Sequence, residues 1–146
     1  MNYPQIILNH ISNLLTEKEY QEAAKILENE FSLTQDSEIG LALGKTYMLQ
    51  YEYRKAELIF HKVNQLSYRN YESMLNMGRI DKWIGRPLAS ESYFQLFLEI
   101  FPKDRTGTLE LIECWLMIND LEKALEALTT FPLQKDSEPD LVYIYA

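Results

Sequence analysis

Apolar residues recur at helical spacing along nearly the whole chain. After Pro4, which suits the first turn of a helix because its missing N–H costs nothing there, Ile6, Ile7, Ile11, Leu14 and Leu15 mark one face of a first helix. Thr16 to Glu19 reads as a short connection in which Thr16 caps the next helix and Glu19 reaches back to it, a capping box. Tyr20, Ala23, Ala24, Leu27 and Phe31 then give the second buried stripe, and the polar run from Ser32 to Ser37 ends it. A third helix is expected from about Ser37 to Gln50, with Ile39, Leu43, Tyr47 and Met48 on related faces. Gly44 sits inside it at a cost of roughly 1 kcal/mol against alanine, so a closely approaching neighbour is expected there. The fourth helix, about Tyr53 to Leu66, presents Ala56, Ile59, Phe60 and Val63. A fifth runs from about Asn70 to Ile84 and stops at Gly85, a residue suited to the left-handed terminator. Pro87 opens a sixth, whose apolar side is Tyr93, Phe94, Phe97 and Phe101 before Pro102. A seventh, Thr106 to Ile118, ends at Asn119-Asp120, and Leu121, Ala124, Leu125, Leu128 and Phe131 make an eighth, closed by Pro132. Pro139 to Ala146 reads as the start of a ninth.

These helices are not independent. Gly44 returns as Gly78 and Phe60 as Phe94, each 34 residues on, and Ala56 returns as Ser90 and then Ala124. A fixed period of this length, carried by helix pairs, marks a repeat array in which each pair buries its apolar face against its neighbours.

The stretch Leu43-Gly44-Lys45-Thr46-Tyr47, with Ala56 and Phe60 after it, resembles the first-helix and second-helix marks of the tetratricopeptide repeat (TPR). Residues 71–104 keep Gly78, Gly85, Phe94 and Pro102, with Met77, Asp81 and Ser90 as replacements; residues 105–138 keep Ala124, with Ile112, Trp115 and Leu128 as substitutes. The N-terminal unit keeps little beyond Ala23 or Ala24 and its spacing. The resemblance implies an all-α, right-handed superhelical array of antiparallel helix pairs, one TPR-like domain over residues 1–146 with repeats at about 3–36, 37–70, 71–104 and 105–138 and a partial repeat at 139–146.

In this family the first helix of each pair lines a concave groove, so stepping by the repeat names the residues expected there. One row is Leu41, Leu75, Leu109 and Tyr143; a second is Lys45, Arg79 and Glu113; a third is Leu49, Trp83 and Met117, flanked by Met48, Lys82 and Leu116. An exposed apolar strip would mark a peptide or protein site; the alternative is that adjacent helices cover these leucines and Trp83 as ordinary core. Lys45, Arg79 and Lys82 could together attract a carboxylate, or simply be part of a solvated face. The five-residue carboxylate clamp of some chaperone-binding members is absent, since only Asn76 matches it and Leu41, Lys45, Thr106 and Glu110 stand at its other places.

Composition narrows the partner. The chain of 146 residues is 47% hydrophobic with five Gly and five Pro, enough for a sizeable core and too few for long linkers. Its net charge of −8 is spread over both halves, which opposes a phosphate backbone and disfavours nucleic acid. The one cysteine, Cys114, allows no internal disulfide and fits a reducing compartment, and neither a leader nor a membrane-spanning run is present, so a cytoplasmic location is expected.

Chemistry is sparse. His10 and His61 are far apart with no second ligand at metal-binding spacing, and neither a Gly-rich phosphate loop nor a nucleophile elbow occurs. Cys114 reads as an inert buried thiol. No catalytic residue, metal or cofactor is expected. The expected function is non-enzymatic capture of a protein or peptide segment through Leu41, Lys45, Leu49, Leu75, Asn76, Arg79, Lys82, Trp83, Leu109 and Met117. The alternative is a scaffolding or oligomerisation segment of a larger protein, with or without a downstream catalytic domain. Because Leu141 to Ala146 is nearly all apolar and breaks off within a first helix, the chain is expected to be the N-terminal part of a longer repeat protein whose cut end can pair with a second copy.

Overall fold

The computed structural model describes residues 2–68 and 70–130. Within them lie eight helices and no strand: α1 (Tyr3–Thr16), α2 (Tyr20–Thr34), α3 (Ser37–Leu49), α4 (Tyr53–Leu66), α5 (Tyr71–Trp83), α6 (Pro87–Ile100), α7 (Arg105–Met117) and α8 (Leu121–Thr130). The expected ninth helix, together with Phe131 and Pro132, falls outside the described residues. The chain divides into two compact units, Met1–Ile80 and Asp81–Ala146, with the boundary inside α5.

The local chemistry of the helix ends repeats with the helices. Asp36 accepts the N–H groups of Glu38 and Ile39 at the start of α3. Asn70 accepts that of Ser73 at 2.9 Å at the start of α5, and Asp104 that of Gly107 at 2.8 Å at the start of α7. These three N-caps satisfy otherwise orphaned donors at one position of successive repeats. The turn inside each helix pair is equally regular. Lys18, Tyr51, Gly85 and Asn119 all have φ between 60° and 84°. The next residue closes the preceding helix by donating its N–H back to a carbonyl five residues earlier: Glu19 to Leu14, Glu52 to Tyr47, Arg86 to Asp81 and Asp120 to Trp115, at 2.7–2.9 Å.

That closure corrects the capping-box expectation for α2. Thr16 is the last residue of α1, where its hydroxyl donates to the Ser12 carbonyl. The Glu19 N–H is already used by Leu14, and Glu19 makes no side-chain cap for α2. A tight left-handed turn thus leaves no free donor for the box to satisfy.

In the first unit α2 and α4 pack on α3, and α1 packs on both α2 and α3. Ile11, Leu27, Phe31, Ile39, Leu43, Phe60 and Val63 make its core. Ser73 of α5 donates to the Phe60 carbonyl at 3.2 Å, which ties α5 to α4. Tyr47, buried on α3, donates its hydroxyl to Glu28 of α2. In the second unit α7 packs between α6 and α8 around Phe94, Phe97, Leu111, Ile112, Cys114 and Ala124. Two residues expected in the buried stripe of α8 are not buried: Leu121 and Leu125 are 58% and 54% exposed.

Candidate functional site

The first helix of each pair carries every residue singled out for binding, and the structure sorts them into three kinds. Leu41 on α3 is 8% exposed and Asn76 on α5 is 5% exposed, so both are largely covered, whereas Leu75 and Leu109 are half-buried. Asn76 is further engaged, its amide donating to the Glu72 carbonyl one turn earlier at 3.0 Å. Leu41 is thus closed to solvent, while Leu75 and Leu109 each keep part of their surface open.

The second kind is charged. In the first unit Lys45 of α3 reaches α5 and forms an ion pair with Glu72 at 2.7 Å. In the second unit Lys82, near the end of α5, is buried and donates to the carboxylates of both Glu110 and Glu113 on α7. Burial by itself lowers the pKa of the Lys82 amine, but the bonds to Glu110 and Glu113 and the charges of both outweigh it, so the amine is held above its usual range. Arg79 is half-buried and is not free. Lys45 and Lys82 are each met by acids of the next first helix, and the second pairing takes Lys82 out of water.

The third kind is apolar and open. Leu49, Trp83 and Met117, the last residues of α3, α5 and α7, are 47%, 50% and 51% exposed. They occupy one position of three successive repeats. In the second unit Ile84 and Leu116 extend the exposed apolar surface beside Trp83 and Met117 along the chain. The ion pair of Lys82 with Glu113 sets the last turn of α5 beside α7, and Met117 lies one turn beyond Glu113.

A separate cleft of about 460 Å³ opens between α2, α3 and α4. Phe31, Leu43, Tyr47, Ile59 and Leu66 supply its apolar lining and Glu28 and Lys62 its charges. None of the residues expected to bind a partner lines it. Among the described residues no group of three or more His, Cys, Asp or Glu could hold a metal ion, and no helix is long and apolar enough to cross a membrane. Cys114 is fully buried; burial raises its thiol pKa most, the Ser90 bond and Lys82 lower it by less, and the charges of Glu110 and Glu113 raise it further.

The fold is that of a TPR-like helical repeat protein. No protein-family model and no curated protein matches the sequence. Solved structures do match. MamA from Desulfovibrio magneticus superposes with a TM-score of 0.77 at 18% identity, over 96% of this chain and 74% of that one. YrrB, described as a TPR protein with an unusual peptide-binding site, gives 0.76 at 18% identity over 94% and 72%. A tetratricopeptide repeat protein from Parabacteroides merdae gives 0.77 at 19% identity over 96% and 55%.

Proposed function

We propose that this chain is a non-enzymatic protein-interaction module that captures a segment of a partner protein across its first helices. One observation carries the reading: Leu49, Trp83 and Met117, at the same place in three successive repeats, each keep about half their surface in water. Single exposed apolar residues are ordinary, but in the second unit Trp83, Ile84, Leu116 and Met117 are all exposed, which gives an extended or helical segment apolar side chains to pack on. The peptide site described for YrrB, which shares the fold, supports the same use here. The net charge of −8 argues against nucleic acid as the partner, and a lone buried thiol suits the cytoplasm.

The test is capture of partner protein by the purified chain and by Leu49→Glu, Trp83→Ala and Met117→Glu variants, each checked for unchanged helicity by circular dichroism. Loss of capture in all three with helicity intact supports the groove; full capture by the triple variant sinks it. A second reading rests on α8, where Leu121 and Leu125 are exposed together: self-association through that end of the array, read out as a concentration-dependent mass in light scattering.

A further inference from the structure

We infer that the partner segment is cationic: a peptide that sets a lysine or arginine against Glu113 and an apolar side chain on Trp83 and Met117. This rests on the binding reading above and names the chemistry of its ligand.

The cations of this face are already spent. Beside Trp83 in the second unit, Lys82 is buried under Glu110 and Glu113, and Arg86 is paired with Asp81 at 3.6 Å. An acidic ligand would have to reach an amine that two carboxylates cover. The acids are differently placed. Only Oε2 of Glu113 bonds to Lys82, and the side chain remains 43% exposed. Glu113 also lies at the surface of a chain that is itself strongly acidic. A guanidinium or ammonium arriving there gains an ion pair without displacing an existing one.

The apolar neighbours fit the same ligand. Trp83 follows Lys82 directly, at the end of α5, and half its surface is in water. An exposed indole is a natural seat for an arginine or lysine, which lays its methylenes on the ring and gains a cation–π contact. Met117, one turn after Glu113, adds a pliable apolar contact of the kind that tolerates varied side chains.

The test is selection of random twelve-residue peptides displayed on phage against the purified chain, followed by calorimetry with the synthetic winners. Enriched peptides should carry Lys or Arg next to a large apolar residue. Binding should weaken as salt rises from about 50 to 500 mM, and Glu113→Gln should weaken it about fivefold, the scale of one exposed ion pair. The same peptide with its basic residue replaced by Gln should not register Glu113→Gln, which separates a direct pairing from a structural effect of the substitution. Enrichment of acidic or uncharged peptides that still depend on Trp83 overturns the cationic ligand and leaves the interaction module standing. Absence of any enrichment removes the peptide-binding reading and this inference with it.

Discussion

The ring of Phe60 on α4 occupies the space that a side chain at Gly44 on α3 would need: a Cβ built there would lie 2.6 Å from Cε1 and Cζ of Phe60. Phe60 is fully buried, so its ring has no open side to move into. Gly44→Ala gains roughly 1 kcal/mol of helix propensity but overpacks a closed contact, at a cost of about 1–3 kcal/mol. A net loss of up to about 2 kcal/mol is expected, read as a lower urea midpoint with unchanged slope. Adding Phe60→Leu should recover part of it, since the two changes act on one contact; strict additivity would show that the glycine is needed for another reason.

Gly44 shows how far the chain could be read in advance. A glycine inside an amphipathic helix, with an aromatic residue at a fixed offset and both returning 34 residues later as Gly78 and Phe94, signals a close helix pair from sequence alone. Pro87 and Gly85 did the same for the ends of α5 and α6. What spacing could not give was which helix covers which face. Leu41 looks like a groove residue by register but is 8% exposed, on a helix against which both α1 and α2 pack. The partners of Lys82 stand 28 and 31 residues away on α7, beyond any local pattern, so its removal from solvent was not legible. The caps Asp36, Asn70 and Asp104 are legible in the sequence: each is a polar residue at the same place before a first helix.

Lys18 holds a left-handed conformation, φ 61°, at the turn where a later repeat has Gly85. A lysine there bears the clash between Cβ and the following carbonyl that glycine avoids. Lys18 is exposed, so little packing is lost on its removal. Lys18→Gly should therefore raise stability by roughly 0.5–1 kcal/mol, after the greater chain entropy of glycine is allowed for. Thermal unfolding measures it; a drop in midpoint would mean that the lysine makes a contact worth more than the strain.

Cys114 should be silent to thiol reagents in the native protein. Its side chain is fully buried, and burial, the largest influence on it, raises its pKa, so both access and thiolate content are low. Iodoacetamide at pH 7.5 should label it only in step with unfolding, with a rate that rises sharply across the urea transition. Prompt labelling without denaturant would place the thiol at an accessible surface.

Lys82 should make stability depend on alkaline pH. Its pKa in the folded chain is raised above the usual 10.5, because the bonds to Glu110 and Glu113 overcome the cost of burial. A group whose folded pKa lies above its unfolded value binds its proton more tightly when folded. Its contribution is therefore complete below about pH 10.5 and fades as pH rises through the higher folded value. Lys82→Gln removes the charge and leaves Glu110 and Glu113 facing each other; about 1–2 kcal/mol should be lost near neutrality, less than for a fully enclosed pair because Glu113 is 43% exposed. The chain has ten tyrosines that ionise in the same alkaline range, so the quantity to measure is the difference between the unfolding free energies of the two proteins, in which their common titration cancels. That difference should hold constant from pH 8 to about pH 10 and shrink beyond it. A difference that is already shrinking by pH 9, or that persists unchanged at pH 12, would mean that the amine is not held in its charged form by the two carboxylates of α7.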